Sequence, residues 1–81
     1  MRYFFHLRES ESYLVDEEGL ELPGIDAVLA AAIAGARSVI AGEAMEGKLP
    51  LRSSIEVDDE HGQRVLDLPF LETVLLDDGT R

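Results

Sequence analysis

Two stretches of this chain share one form: alternating apolar residues, a knot of acids closed by glycine, then alternating apolar residues again. The first runs Tyr13-Leu14-Val15, Asp16-Glu17-Glu18-Gly19, Leu20-Glu21-Leu22. The second runs Ile55-Glu56-Val57, Asp58-Asp59-Glu60-His61-Gly62, Val65-Leu66-Asp67-Leu68. Alternation with period two is strand patterning, because successive side chains of a strand leave opposite faces of a sheet. Glycine accepts positive φ and aspartate folds its side chain onto nearby backbone, so each knot interrupts or reverses an extended segment. At the first knot a bulge and a tight turn both satisfy the pattern. The form constrains architecture and names no chemistry.

Pro23-Gly24 closes the first extended region, and a helix is predicted from Ile25 or Asp26 onward, with Asp26 placed to cap or to complement the positive end of the dipole. At 100° per residue, Ile25, Leu29, Ala32, Ile33, Ala36 and Ile40 form an apolar stripe flanked by Val28 and Val39. Gly47, Lys48 and Pro50 supply stop signals, and Gly42 is an earlier one. The opposite face carries Ala27, Ala30, Ala31, Ala34 and Ala41; helix propensity accounts for these, and small residues also suit the close approach of a second helix.

Before all this, Tyr3-Phe4-Phe5-His6-Leu7-Arg8 alternates with large apolar groups on both faces, the mark of a strand internal to a sheet. After the second knot, Pro69 has no N–H to donate to a ladder, and Phe70, Leu71, Val74 and Leu75 repeat at the spacing of a short C-terminal turn. The order is strand, strand, helix, strand, strand. The predicted fold is an α+β two-layer sandwich: a mainly antiparallel four-stranded sheet in ββαββ order with one long helix on one face. One domain is expected over residues 1–76, with 77–81 as a frayed tail.

An 81-residue chain buries only about 60% of the surface its unfolded form exposes, so its margin of stability is thin. It has no cysteine, which excludes disulfides and thiolate catalysis and suits a reducing cytoplasm. Met1-Arg2-Tyr3-Phe4-Phe5-His6 is charged too early for a signal peptide, and the uncharged run from Ala27 to Ala36 is about half of the roughly 20 residues a membrane span needs. The formal charge is −10, with acids crowded over residues 9–21 and 56–60. Such a surface repels phosphate backbones and anionic headgroups, so neither direct nucleic-acid binding nor membrane association is expected. The arginines are scattered, and a single Gln63 leaves almost no amide to read adenine edges.

Enzyme chemistry has little to work with. No Gly-x-Ser-x-Gly elbow is present, and His6 and His61 are the only imidazoles. His6 reads as a strand histidine bonded to a neighbouring group. Asp58, Asp59, Glu60 and His61, and likewise Asp16, Glu17 and Glu18, offer hard ligands, but neither knot has the alternating loop spacing of a calcium site, and zinc would want further histidine or cysteine. The acids are expected to be solvated turn residues. No catalytic, cofactor-binding or metal residues are assigned.

The start Arg2-Tyr3-Phe4-Phe5-His6, the segment Asp16-Glu17-Glu18-Gly19-Leu20-Glu21-Leu22-Pro23, the helical Ala36-Arg37 and the closing Val65-Leu66-Asp67-Leu68-Pro69-Phe70 together resemble a family of short bacterial proteins classed as a domain of unknown function. The resemblance runs from residue 2 to about residue 71 and implies no reaction. A second likeness, through an acidic glycine-containing turn leading to Leu22-Pro23-Gly24 before a helix, is to small antitoxins of the HicB type, which neutralise a basic RNA-cleaving toxin. The expectation is a non-enzymatic, cytoplasmic domain that self-associates, as a homodimer, or binds another protein; the alternative is an acidic, antitoxin-like inhibitor of a basic protein partner.

Overall fold

The sheet is organised around β1, Arg2–Arg8, in a computed structural model that describes residues 1–74. The tail expected to fray and Leu75 of the C-terminal repeat lie outside the described residues. On one side β1 pairs antiparallel with β4 (Ser54–Asp59), in register from Tyr3↔Asp59 to Arg8↔Ser54. On the other side it meets two short pieces, β2 (Tyr13–Leu14) opposite Leu7 and Arg8, and β3 (Leu20–Glu21) opposite Arg2 and Tyr3. β5 (Arg64–Pro69) pairs with β4 and forms the far edge, so the spatial order is β2/β3, β1, β4, β5, antiparallel between all neighbours. The internal position predicted for the Tyr3–Leu7 strand is the one found.

Both β2 and β3 run antiparallel to β1. The first knot therefore reverses nothing: the chain leaves the ladder after Leu14 and rejoins it at Leu20, still travelling the same way. The two pieces are halves of one interrupted edge strand, which keeps the ββαββ order. The true reversal of this half is the Glu9–Ser12 turn, closed by the Glu9 N–H on the Ser12 carbonyl at 2.8 Å. The second knot is a hairpin. Glu60, His61 and Gly62 form its loop, with Gly62 at φ 81° and the Asp59 N–H bonded to the Gln63 carbonyl at 2.8 Å.

α1 spans Ile25–Ala44 and ends as the stop signals predict. Gly47, at φ 82°, donates to the Ala44 carbonyl while Lys48 donates to that of Glu43, the nested pair of a Schellman motif. The orientation of the helix differs from the predicted one. Its buried row is Val28, Ala32 and Ala36, each fully enclosed, whereas Leu29 is 41% exposed and Ile25 51% exposed. The reason is steric: a row of small residues lets the helix settle close to the sheet, and Gly35 sits with space for little more than a Cβ before Ile55 Cδ1, at 3.6 Å. The larger Ile33 and Ile40 pack from the side.

The core joins that row to Tyr3, Ile55, Val57, Leu68 and Phe70. The register places Ile55 opposite Leu68 and Val57 opposite Leu66, on the face predicted for them. The C-terminal turn is a short 3-10 helix, η1, Phe70–Thr73. It is tied to α1 by Arg37, whose Nε donates to the Thr73 carbonyl at 2.8 Å, and to the sheet by the Phe70 N–H on the Ser53 carbonyl at 2.9 Å.

Candidate functional site

The face of the sheet away from α1 is covered by its own charged side chains. Alternation turns Phe4, His6 and Arg8 of β1, and Glu56 and Asp58 of β4, to this side. Diagonal cross-strand neighbours lie within reach of long side chains. Arg8 binds Glu56 through both Nε and Nη2, and Arg64 Nη1 reaches the same carboxylate at 3.1 Å. Arg64 Nε donates to Asp58 Oδ1 at 2.6 Å, and the Arg8 guanidinium lies 4.3 Å from the centre of the Tyr13 ring. A β-bulge at Val57/Asp58 brings Arg64 directly opposite Asp58. Glu56 is thereby buried between two guanidinium groups.

These contacts set the charge states. The hydrogen bond from Arg8 is the main influence holding Glu56 below the usual carboxylate range, against the opposing effect of burial. The Arg64 hydrogen bond does the same for Asp58. Burial pushes Asp16 upward, but the N–H groups of Phe5, Gly19 and Glu18 outweigh it and leave this carboxyl low.

His6 is buried at the junction of this network with the first knot. The Asp16 N–H donates to His6 Nδ1 at 3.1 Å, and Nε2 lies 3.2 Å from Asp58 Oδ2. A nitrogen that accepts from an amide carries a lone pair, so the neutral ring bears its proton on Nε2 and donates it to Asp58. Both nitrogens are occupied. A general base needs a free lone pair facing substrate, and His6 has none to offer. The sequence reading of a strand histidine bonded to neighbours agrees with this geometry.

The expectation of solvated acids needs correction. Asp16 Oδ2 accepts the Phe5 N–H at 3.0 Å, in the gap between β2 and β3, while Oδ1 accepts Glu18 and Gly19 N–H groups at 3.1 Å. Asp59, also buried, accepts the N–H groups of His61 and Gln63, and Glu60 accepts that of Arg2 at 2.8 Å. These acids satisfy backbone donors that the broken ladder leaves open. Glu17 and Glu18 do lie exposed in solvent. Among the described residues no three His, Asp or Glu side chains converge on a point that would hold a cation, and no buried side-chain N or O lacks a partner.

Two further features stand apart from the network. A cleft of about 510 Å³ lies at the C-terminal end of α1, lined by Glu9, Ser10, Glu43 and the Lys48–Ser53 loop, with both signs of charge. On the α1 side of the sheet, Leu14 lies opposite Leu7 and Leu20 opposite Tyr3, so both face the helix layer. They are nevertheless 56% and 48% exposed. Sequence reasoning missed the ion network, whose signal was present as charges at period two (Arg8, Glu56, Asp58) on the strand faces opposite the apolar ones.

A five-stranded antiparallel sheet carrying one long helix, with the charged groups of its other face paired with one another, defines a small α+β domain. The chain belongs to the family described as Domain of unknown function (DUF6894), whose model matches residues 2–71. No curated protein and no solved structure matches this chain.

Proposed function

We propose that the chain is a non-enzymatic protein-interaction domain that works through the apolar face left open beside α1. The observation that carries this reading is the exposure of Leu14 and Leu20 on the same face as the core residues Leu7 and Tyr3. Large apolar side chains spread singly over a surface need no explanation, but a group of them continuous with the core is the mark of a contact surface. The polar face supports the same conclusion from the other side, because its ionisable groups are spent on one another. Self-association is one form of this activity. The antitoxin-like form, in which an acidic domain inhibits a basic protein, is supported by the pairing of Arg2 with Glu21, Arg8 with Glu56 and Arg64 with Asp58, which leaves the surplus charge acidic.

Site-specific photocrosslinking in the producing cell tests the reading. A photoreactive residue at position 14 or 20 should give discrete protein adducts, and the same residue at exposed Glu72 should give none. An adduct of twice the chain mass identifies a second copy, and any other mass identifies a different protein. Absence of adducts at both positions would refute the interaction role.

A further inference from the structure

Resting on that reading, we infer that the open face is a seat for one α-helix of another protein, a helix with an apolar stripe and basic flanks. A helix with its side chains is about 10–12 Å across and strands are spaced by about 4.8 Å, so one helix covers roughly two strands of a four-strand sheet. α1 spends its cover on one half. Arg37 is bonded to Thr73, which places the flank bearing Arg37, Ile33 and Ile40 toward η1 and β5. The other flank, turned toward β1 and the β2/β3 edge, bears Ala31 and Ser38, with Gly35 below them against Ile55. This is a wall of small side chains beside a floor made by Leu14, Phe5 and Leu20.

The dimensions suit a helix. Leu14 and Leu20 stand opposite positions 7 and 3 of β1, a separation of about 13 Å, which about nine helical residues span. Small wall residues let a second helix axis lie close to that of α1. A strand is the poorer fit, because the edge offers only two paired residues on each side of the Asp16–Gly19 break.

Charge selects the occupant. Glu11, Glu17, Glu18, Asp26, Glu43 and Glu46 have no ion-pair partner among the described residues and lie in turns and at the helix ends, where they outnumber the likewise unpaired Lys48 and Arg52 beside Glu43. A second copy would bring its own α1, whose acids are Asp26 and Glu43, with Glu46 just past its end, against a single Arg37 already bonded to Thr73. Like charges would then meet across an antiparallel pair of helices. A basic amphipathic helix meets both the apolar floor and the acidic rim.

The test uses an 18-residue synthetic helix with a Leu stripe and Lys on its other faces, titrated into the isotopically labelled chain. Its counterpart carries Glu in place of Lys. Binding of the Lys peptide with amide shifts at Leu14, Leu20, Ala31 and Ser38 is the expected result. Leu14→Ser with Leu20→Ser should weaken it at least tenfold while the amide spectrum keeps the dispersion of the folded chain, and Glu72→Gln leaves it unaltered. Equal binding of the Glu peptide, or shifts confined to the acidic turns with no effect of the double substitution, overturns the seat. Concentration-dependent dimerisation abolished by the same double substitution overturns the occupant and preserves the interaction role. Partition into phosphatidylcholine vesicles with shifts at these residues overturns it in favour of a membrane surface. No peptide binding together with no photocrosslinked adduct removes both this inference and the reading beneath it.

Discussion

Replacing Asp16 by alanine removes a carboxylate that holds three backbone N–H groups in place, those of Phe5, Glu18 and Gly19, at 3.0 to 3.1 Å. The Phe5 donor is half-buried between β2 and β3, and leaving a buried donor without an acceptor costs about 1–3 kcal/mol. Glu18 lies at the surface, where water takes over, and Gly19 is half-buried; each of these two bonds contributes about 0.5–1 kcal/mol. The sum is roughly 2–5 kcal/mol. A chain of this size holds about 4–12 kcal/mol in total at 0.05–0.15 kcal/mol per residue, so the loss is a large fraction of it. The carboxyl is depressed in the folded state. Its stabilisation is thus fully present above the ordinary aspartate value, about 3.9, and disappears as pH falls through the lower folded value. Urea unfolding at pH 7 should show the deficit as a lower midpoint at unchanged slope. The same comparison at a pH below the folded value should show the two chains converging. Asp16→Asn should fall between them at pH 7, because it retains acceptor capacity but no charge. An Asp16→Ala midpoint equal to the parent's at pH 7, or a deficit of the same size in acid, would refute the assignment of this residue as the clasp of the edge strand.

The charged face makes a related forecast: Glu56→Gln should destabilise at neutral pH by only about 1 kcal/mol, because the two guanidinium groups it leaves facing a neutral amide are themselves half-exposed to water, and the penalty should shrink in acid as the parent's carboxylate protonates (thermal denaturation across pH). Val28→Ala, at a fully enclosed site, should cost about 1–3 kcal/mol, whereas Leu29→Ala, 41% exposed, should cost less than about 1 kcal/mol; the reverse ranking in urea would contradict the helix orientation. Gly19→Ala should destabilise more than Gly62→Ala: both have φ in the left-handed region, but only at Gly19 would a Cβ stand 2.9 Å from Arg2 Cγ and Phe4 Cε1. Nitrogen-detected NMR of the histidine rings should show His6 as the Nε2–H tautomer, and an Nδ1–H ring would disprove the donation from the Asp16 amide.

Much of the architecture was written locally. The alternation of Tyr3 to Leu7, of Ile55 to Val57 and of Leu66 to Leu68 carries its own face assignment, because period two is a property of the strand and not of its neighbours. Gly47 and Gly62 stop the helix and turn the hairpin through conformations that glycine alone adopts without strain. The candidate site was less legible. A seat defined by what α1 fails to cover cannot be read until the lateral position of α1 is known. That position follows from Ala32, Ala36 and Gly35 meeting Ile55, not from the largest apolar residues of the stripe.

The two acidic knots mark the division most clearly. By itself the sequence determined that strands would be interrupted within residues 16–19 and 58–62, since acid and glycine there favour turn conformations, although Asp58 and Asp59 stay in β4 and only Glu60 to Gly62 form the loop. It also determined the ββαββ order and the faces of the internal strands. Only the tertiary structure decided that one knot is a hairpin while the other is a clasp within a single edge strand. The physical reason lies in the partner. β1 is long enough to receive Leu14 near one end and Leu20 near the other, so Asp16 between them offers its carboxylate to an unpaired Phe5 N–H and its own N–H to a histidine ring, while Glu17 and Glu18 face solvent. Which donors a carboxylate satisfies, and hence its charge state and its part in stability, depends on residues ten or more positions away along the chain, brought beside it by the strand pairing.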